Sequence, residues 1–281
     1  MFGSHLSVSG GVHKALLEAE RLGFDTVQIF TKNQQQWRAS PLDPEEVRRW
    51  GTHARRMKFN RTVSHDSYLI NLASMDAALW DKSIDAFAEE LRRCVTLEVP
   101  YLVTHPGCHM GAGEEAGLKR VAEGIDRVHD IVPAAPTLTC LEITAGQGTS
   151  LGYRLEHLAT IIEAVKAPER LGVCLDTAHL FAAGYDIRGP GYAAFRKELA
   201  KTIGLKRVKV WHVNDSKKDL GSRVDRHEHI GRGMIGLDGF RPLVRDEAWE
   251  KIPKILETPK AKDDAGRDWD AVNLETLRSL T

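Results

Sequence analysis

Residues 207–233 read RVKVWHVNDSKKDLGSRVDRHEHIGRG. The stretch opens with a β-branched and aromatic run at 208–213, which is typical of a buried strand. This run ends in polar side chains with ligand atoms, beginning with His212. Further along, three such residues alternate and would share one face of an extended chain: Asp225, His227 and His229. Imidazole and carboxylate groups converging in this way indicate a site for Zn²⁺ or Mn²⁺.

Short apolar runs of this kind alternate along the whole chain with longer amphipathic segments. The predicted strands are residues 2–8, 26–31, 61–65, 101–105, 137–144, 171–176, 207–213 and 252–257. Helical spacing follows them at residues 12–22, 44–57, 77–97, 114–131, 155–165, 192–203, 237–249 and 269–280. Eight alternating β-α units predict a parallel sheet, and eight strands close a (β/α)8 TIM barrel. A doubly wound open sheet is the structural alternative. We expect a single domain over residues 1–281.

The composition describes a soluble globular protein without a membrane segment. The chain has 281 residues, 42% of them hydrophobic and 28% charged, and its formal net charge is zero. Zero net charge argues against a generic nucleic-acid coat, although it permits a local anion site. No signal peptide is recognisable, and the four cysteines are far apart, so we expect reduced thiols in a cytoplasmic protein. Nothing suggests an obligate partner, and we expect a monomer.

Ligand-type side chains stand at the carboxyl end of nearly every predicted strand or in the loop that follows it. In a barrel these ends meet at one face, where active sites are built. The best candidates are five histidines and four carboxylates: His65, His105, Glu142, Asp176, His179, His212, Asp225, His227 and Glu257. Because one catalytic zinc uses about three protein ligands, this set suits two or three metals with a bridging carboxylate.

Such a cluster would suit an anionic substrate. Four carboxylates with three divalent ions carry a net charge of about +2, and clustered metals activate water and clamp the oxygens of a phosphodiester. For two other histidines, His109 and His229, the sequence does not decide whether they are ligands. His229 would replace His227 as a ligand if the loop were shifted by one strand pleat.

Several motifs recur in a fixed order. They are TKNQ with QWR at 31–38, HDSYLINL at 65–72, HPG at 105–107, Glu142 with TAGQG at 144–148, GVCLDT with His179 at 172–179, His212, Asn214-Asp215, GSRVDRH at 221–227 and LET at 256–258. This pattern resembles endonuclease IV, the zinc-dependent apurinic/apyrimidinic endonuclease family of base-excision repair. The resemblance runs from about residue 2 to residue 258, nearly the whole chain.

The resemblance implies three zinc ions, for which Mn²⁺ is a possible substitute. His65, His105 and Glu142 would hold the first ion. The bridging and catalytic Glu142 would share the second with Asp176, His212 and Glu257, and the third would be held by His179, Asp225 and His227. A metal-bound hydroxide would attack the phosphate 5′ to an abasic site in damaged duplex DNA, leaving a 3′-hydroxyl and a 5′-deoxyribose phosphate. Members of the family also clean blocked 3′ ends.

The resemblance also implies loops that enter the DNA helix where the abasic nucleotide is flipped out. The first loop holds four of the ten Asn and Gln residues in the chain, which favours a hydrogen-bonding role. The expected DNA contacts are Asn33, Gln35, Gln36, Trp37, Arg38, Tyr68 and Arg226. Trp37 and Tyr68 could instead be half-buried rim aromatics. The chain departs from the family at Gln35, where an Arg is common, and Arg38 could take over part of that contact.

Two other functions compete with the nuclease. A metal-dependent sugar isomerase or epimerase on the same barrel would need one or two ions. His179, Asp225 and His227 would then have no metal to bind. A damage-binding module with one structural zinc would need only four ligands. The letters of GRGMIG at 231–236 fit a dinucleotide motif, but no apolar strand precedes them, so we reject that interpretation.

Overall fold

Eight parallel strands form a closed barrel in the computed structural model, which describes residues 1–281. In chain order the strands are β1 (Phe2–His5), β2 (Thr26–Phe30), β3 (Val63–His65), β4 (Tyr101–Thr104), β5 (Leu138–Glu142), β6 (Leu171–Asp176), β7 (Val208–His212) and, after a hairpin, β10 (Lys254–Leu256). The first strand closes the barrel, because Gly3 lies opposite both Thr26 of β2 and Ile255 of β10. The predicted TIM barrel is confirmed, and the open sheet is wrong.

Helices cover the outside of the barrel between the strands. They are α1 (His13–Leu22), α2 (Pro44–Met57), α3 (Ala77–Thr96), α4 (Glu114–Ile131), α5 (Leu155–Ala164), α6 (Thr177–Ala183), α7 (Pro190–Thr202), α8 (Gly236–Arg245) and α9 (Trp269–Ser279). The prediction of one helix over 237–249 is wrong in its second half. There the extended Asp246 ends α8, and its carboxylate accepts from the Ala248 N–H to cap a separate 3₁₀ turn, Glu247–Trp249.

Two elements near the barrel mouth escaped prediction. The helix α6 starts directly after β6, and its first turn carries His179. A two-stranded antiparallel hairpin, β8 (Asp215–Ser216) with β9 (His227–Glu228), follows β7. Both are too short to give a clear periodic signal. They nevertheless place polar side chains over the open end of the barrel.

Apolar side chains pack in two places. Most lie between the barrel and its helices, as Leu16, Phe87 and Phe240 do, each fully buried. A smaller set fills the barrel interior below the mouth: Val63, Val103, Cys140, Cys174, Val210 and Ile255. Because alternate residues of a strand face opposite sides, one strand supplies both layers. The interior set forms an apolar floor beneath the polar strand ends.

All four cysteines are free thiols. No helix is both long enough and apolar enough to cross a membrane.

Candidate metal centre

The predicted ligand-type side chains meet at the carboxyl ends of the strands. Four of them are the last residues of strands, namely His65, Glu142, Asp176 and His212. The others lie just beyond a strand end, on the first turn of α6, or on the loop and second strand of the hairpin: His105, Glu257, His179, Asp225 and His227. Since the parallel strands run in the same direction, residues up to 192 positions apart in the chain share one mouth.

Glu142 lies at the centre of this set and is completely buried. One carboxylate oxygen, Oε2, is 3.1 Å from Nε2 of His65 and 3.2 Å from Nε2 of His105. The other oxygen, Oε1, is 2.9 Å from Nδ1 of His212. The two oxygens therefore face different histidines, which is the arrangement that a bridging carboxylate needs.

A second group adjoins the first through Glu142. It comprises Glu142, Asp176, His212 and Glu257, whose ligand atoms all lie within 4.8 Å of one another. Nδ1 of His212 is 3.2 Å from Oε2 of Glu257 and 4.0 Å from Oδ2 of Asp176. Three carboxylates thus surround one imidazole nitrogen.

The third group joins α6 to the hairpin. Asp225 lies between two imidazoles, with Nε2 of His179 at 3.1 Å and Nε2 of His227 at 3.2 Å. Nε2 of His227 is also 3.7 Å from Oδ2 of Asp176. This carboxylate was expected only in the second group, and its proximity to the third is a feature that sequence reasoning missed.

In three of these rings a backbone carbonyl accepts a hydrogen bond from Nδ1. The lone pair of the other nitrogen, Nε2, is then available to bind a metal. The acceptors are Asp66 O for His65, at 2.9 Å, Ile143 O for His179, at 2.9 Å, and Glu257 O for His227, at 3.3 Å. A hydrogen bond on the outer nitrogen is the usual partner of a metal-binding histidine. The Nε2 atom of His227 is buried and lies 3.2 Å from Oδ1 of Asp225.

The donor set fits divalent metals in number, chemistry and spacing. Tetrahedral zinc, with bonds of about 2.0–2.1 Å, places its donor atoms about 3.3 Å apart. Within the three groups, the histidine nitrogens lie 2.9–4.0 Å from their carboxylate neighbours. Histidine with carboxylate is a combination that Zn²⁺ and Mn²⁺ both accept.

The electrostatics of the centre also favour ionised carboxylates. Burial raises the pKa of Glu142, but charge interactions with His212 and His105 outweigh it, and the pKa lies well below its ordinary value. Burial likewise opposes ionisation of Asp225, where hydrogen bonds from His179 and His227 prevail and lower the pKa. Both carboxylates are therefore ionised, as a carboxylate must be to bind a metal.

Two buried amides, which sequence reasoning missed as site residues, hold the carboxylates in place. Asn214 donates from Nδ2 to Oδ2 of Asp176 at 2.7 Å and accepts from the Glu257 N–H at 2.7 Å. Gln28 on β2 donates to Oε1 of Glu257 at 2.6 Å. Asn214 belongs to a recognisable motif, whereas Gln28 sits within a strand that reads as ordinary apolar sequence.

Two cavities flank the centre, and Tyr68 lines both. The larger, of about 1040 Å³, is also lined by Asn33, His227 and Glu257. The smaller, of about 420 Å³, is lined by His105, His179, Asp225 and Arg226 among others. Tyr68 is 65% exposed, and the centre of its ring lies 5.7 Å from that of His65, so the side chain projects beside the first group.

The remaining residues predicted to contact DNA differ in how far their side chains are exposed. Asn33, Gln35, Gln36, Arg38 and Arg226 are exposed. Trp37 is half-buried against the core, and the Lys82 ammonium lies 4.3 Å from the centre of its ring. The structure thus places Trp37 as a rim aromatic, while Tyr68 projects freely.

The undecided histidines lie apart from the three groups. His229 stacks on Trp269 with ring centres 3.9 Å apart and hydrogen-bonds Asn273, so its ring faces away from the donors. Nδ1 of His109 accepts from two backbone N–H groups in its own loop. His227 is therefore the hairpin histidine at the centre.

The rejected glycine motif has a different role. The segment at 231–236 wraps around the carboxylate of Asp215, which accepts from the N–H groups of Gly231, Gly233, Ile235 and Gly236 at 2.9–3.2 Å. A Cβ on Gly233 would lie 2.4 Å from Ser216 O. An internal anion thus fills the loop that would otherwise suggest a phosphate site.

Comparisons with known proteins agree with this geometry. Residues 16–280 match the family model described as xylose isomerase-like TIM barrel. Probable endonuclease 4 of Chloroflexus aurantiacus is 55% identical over 280 residues, covering 99% of this chain and 97% of the relative.

Solved structures lead to the same family. Endonuclease IV from Thermus thermophilus superposes with a TM-score of 0.87 at 36% identity, covering 99% of this chain and 98% of the other. A D-tagatose 3-epimerase-like protein has a TM-score of 0.75 at 19% identity, with 99% and 96% coverage, and shows the shared fold alone. The resemblance carried by the sequence motifs is thus confirmed, and the chain belongs to the endonuclease IV family.

Proposed function

We propose that this chain is a DNA-repair deoxyribonuclease that cleaves the phosphodiester 5′ to an abasic site in duplex DNA. The products are a 3′-hydroxyl and a 5′-deoxyribose phosphate, and the same centre removes blocking groups from 3′ ends. The observation that carries the proposal is the joining of the three donor groups described above at one barrel mouth, with Glu142 common to the first two. Family membership supplies the class of substrate.

The nine side chains would hold three zinc ions, with Mn²⁺ as a possible substitute. His65, His105 and Glu142 would hold the first, and Glu142, Asp176, His212 and Glu257 the second. His179, Asp225 and His227 would hold the third, with Asp176 in reach. When bound, such ions lower the pKa of water toward neutrality and neutralise phosphate oxygens in the transition state.

The protein's own contribution is to position the strand that is cut. The buried Glu142 keeps its two oxygens directed toward different donor groups. Tyr68, which projects between the two cavities, would fill the gap left by a displaced nucleotide. Asn33, Gln35, Gln36, Arg38 and Arg226 would contact the DNA from the exposed rim, with Trp37 supporting the first loop.

A sugar isomerase or epimerase is not favoured. The likeness to epimerases stays below 25% identity and reflects the common barrel. An isomerase with one or two ions would also leave the group of His179, Asp225 and His227 without a function. A module with one closed structural zinc site would leave still more donors unused.

The whole chain would act as one unit. We infer a single domain over residues 1–281, since β1 near the start pairs with β10 near the end. A monomer suffices, because every donor of the centre comes from one chain. Four free thiols are compatible with a reducing, cytoplasmic setting.

The test is cleavage of an end-labelled duplex that carries one abasic-site analogue, with metal content measured on the same preparation. We expect a single nick 5′ to the analogue, close to three zinc ions per chain, loss of nicking on chelation and recovery with zinc. An undamaged duplex of the same sequence serves as the control. A zinc-loaded chain that leaves the damaged duplex intact but interconverts ketosugars would overturn the proposal.

A further inference from the structure

A buried glutamine on β2 connects two side chains of the second donor group. Gln28 has no exposed surface. Its Oε1 lies 2.8 Å from Nε2 of His212, and its Nε2 lies 2.6 Å from Oε1 of Glu257. One amide thus contacts two neighbours that converge on Glu142 and Asp176.

The chemistry of these partners fixes how the amide is oriented. An ionised carboxylate can only accept hydrogen bonds, so the NH₂ end of Gln28 must face Glu257. The carbonyl end must then face His212, and because a carbonyl can only accept, Nε2 of His212 must carry a proton. With Nε2 protonated, Nδ1 is the only ring nitrogen left to bind a metal. In the metal-free chain Nδ1 donates to Oε1 of Glu142 at 2.9 Å, and its lone pair becomes available when that proton leaves.

A third contact holds the amide against rotation. Nε2 of Gln28 also lies 2.9 Å from Nδ1 of His5 on β1, so both amide hydrogens have acceptors. Turning the amide over would direct its oxygen at the Glu257 carboxylate, which has no proton to donate, and would break that hydrogen bond. The three partners come from β1, β7 and the end of β10, whose relative positions are set by barrel closure.

We infer that Gln28 is a positioning residue for the metal centre, which sets the tautomer of His212 and the orientation of Glu257 so that both present donor atoms to one ion. His212 differs in this respect from His65, His179 and His227, whose outer nitrogens are held by backbone carbonyls. A side chain performs this role for His212, so a single substitution can remove it. The inference rests on the proposed function for the identity of the ions.

The test compares zinc binding by Gln28→Met with that of the wild-type chain, using competition with a chromophoric chelator. Methionine is similar in size, but it has no hydrogen to donate to Glu257, and its thioether sulfur is only a weak acceptor for His212. We expect one zinc to bind about 10- to 100-fold more weakly, the usual effect of removing an outer-shell partner. Thr26→Val is the matched control, since it removes a partly buried hydrogen bond, from Thr26 Oγ1 to Arg61 O, on the same strand but away from the metal-ligand candidates.

A second measurement needs no variant. Nitrogen-15 spectra of the histidine rings in the zinc-loaded wild-type chain should show a proton on Nε2 of His212 that exchanges slowly with solvent. Wild-type zinc affinity in a folded Gln28→Met, or a His212 ring without a proton on Nε2, would overturn the inference. Nicking by the wild-type chain is assayed in parallel. A chain that binds zinc but fails to nick would contradict the proposed function and leave the zinc comparison valid.

Discussion

At the scale of single residues, Glu142 has the largest expected effect on the chemistry. Its two oxygens serve different donor groups, and the side chain is wholly buried among histidines. A neutral amide of the same shape would keep the packing but offer only one good acceptor oxygen. The carboxylate that joins the first two donor groups would then be lost.

We therefore predict that Glu142→Gln keeps part of its metal but loses at least about 100-fold in kcat, which corresponds to about 2.7 kcal/mol of barrier. Single-turnover cleavage of the abasic duplex and metal content on the same sample would measure both effects. Glu163→Gln, an exposed change on α5, is the control and should cleave normally. Cleavage by Glu142→Gln at the wild-type rate would show that this carboxylate does not bridge.

At the scale of elements, the two loops expected to contact DNA are tied to each other. Ser67 Oγ donates to Gln34 O at 2.5 Å, and Ser67 N donates to Oε1 of Glu90 at 3.0 Å. Lys32 completes the link, with Nζ 3.4 Å from Glu90 and 2.7 Å from Gln36 O. Burial raises the pKa of Glu90 to about 7, so this ion pair is fully formed only above neutral pH.

We predict that Ser67→Ala loosens the two loops relative to each other without changing the metal centre. The dissociation constant for abasic duplex should rise about 3- to 10-fold, the effect of one lost hydrogen bond, while kcat stays within about twofold. Fluorescence anisotropy would measure binding, and single-turnover kinetics the chemical step. Ser279→Ala on α9 loses a comparable side-chain hydrogen bond far from the loops and should bind normally. An unchanged dissociation constant for Ser67→Ala would show that the link does not matter for DNA binding.

The hairpin that carries His227 depends on a different anchor. Asp215 accepts five backbone N–H bonds, from Ser216 and from the loop at 231–236. Burial raises the pKa of Asp215, and the N–H groups oppose that rise. A neutral side chain with one acceptor oxygen could not satisfy the same set.

Asp215→Asn should therefore destabilise the hairpin and weaken zinc binding at the group of His179, Asp225 and His227. We expect about two zinc ions to remain per chain and the melting temperature to fall by several degrees, which corresponds to about 1–3 kcal/mol. Metal analysis after dialysis against a weak chelator would test this. Asp219→Asn, an exposed change in the loop between the two hairpin strands, should retain the wild-type metal content. Full zinc content in Asp215→Asn would show that the hairpin holds its position without this anchor.

At the scale of the whole molecule, metal binding should be linked to pH. Burial lowers the pKa of His227, but the charge of Asp176 and a hydrogen bond to Asp225 outweigh it and raise the pKa to about 9 in the metal-free chain. The ring is then protonated at neutral pH and must lose that proton to bind a metal. Zinc uptake should release protons, and the apparent affinity should weaken as the pH falls below about 9.

Calorimetric titration with zinc in buffers of different ionisation enthalpy would count the released protons. We expect proton release at pH 7 and less of it at pH 9. The variant His227→Ala should release fewer protons than the wild-type chain, whereas His53→Ala on α2, which is not among the donors, should not differ from it. Proton release that is independent of pH between 6 and 9 would contradict the coupling.

Much of this protein could be predicted from its sequence. The alternation of short apolar runs with amphipathic segments predicted the eight barrel strands and most helices, because hydrophobic periodicity is a local property. Polar residues at the strand ends predicted a metal centre at the barrel mouth, because all parallel strands end on one face. The motifs identified the family, because the ligand-type residues and their neighbours occur in the same order along the chain as in that family.

Other features were decided only by the tertiary structure. Asp225, His227 and His229 alternate equally well, and the packing of His229 on Trp269 decides that His227 faces the donors. Gln28 reads as an unremarkable strand residue until barrel closure brings it against His212, which is 184 positions away in the chain. The sequence determines which ligand atoms each strand carries to its end. Which of these atoms come within about 3 Å of one another depends on strand register and side-chain packing, and no local pattern records those.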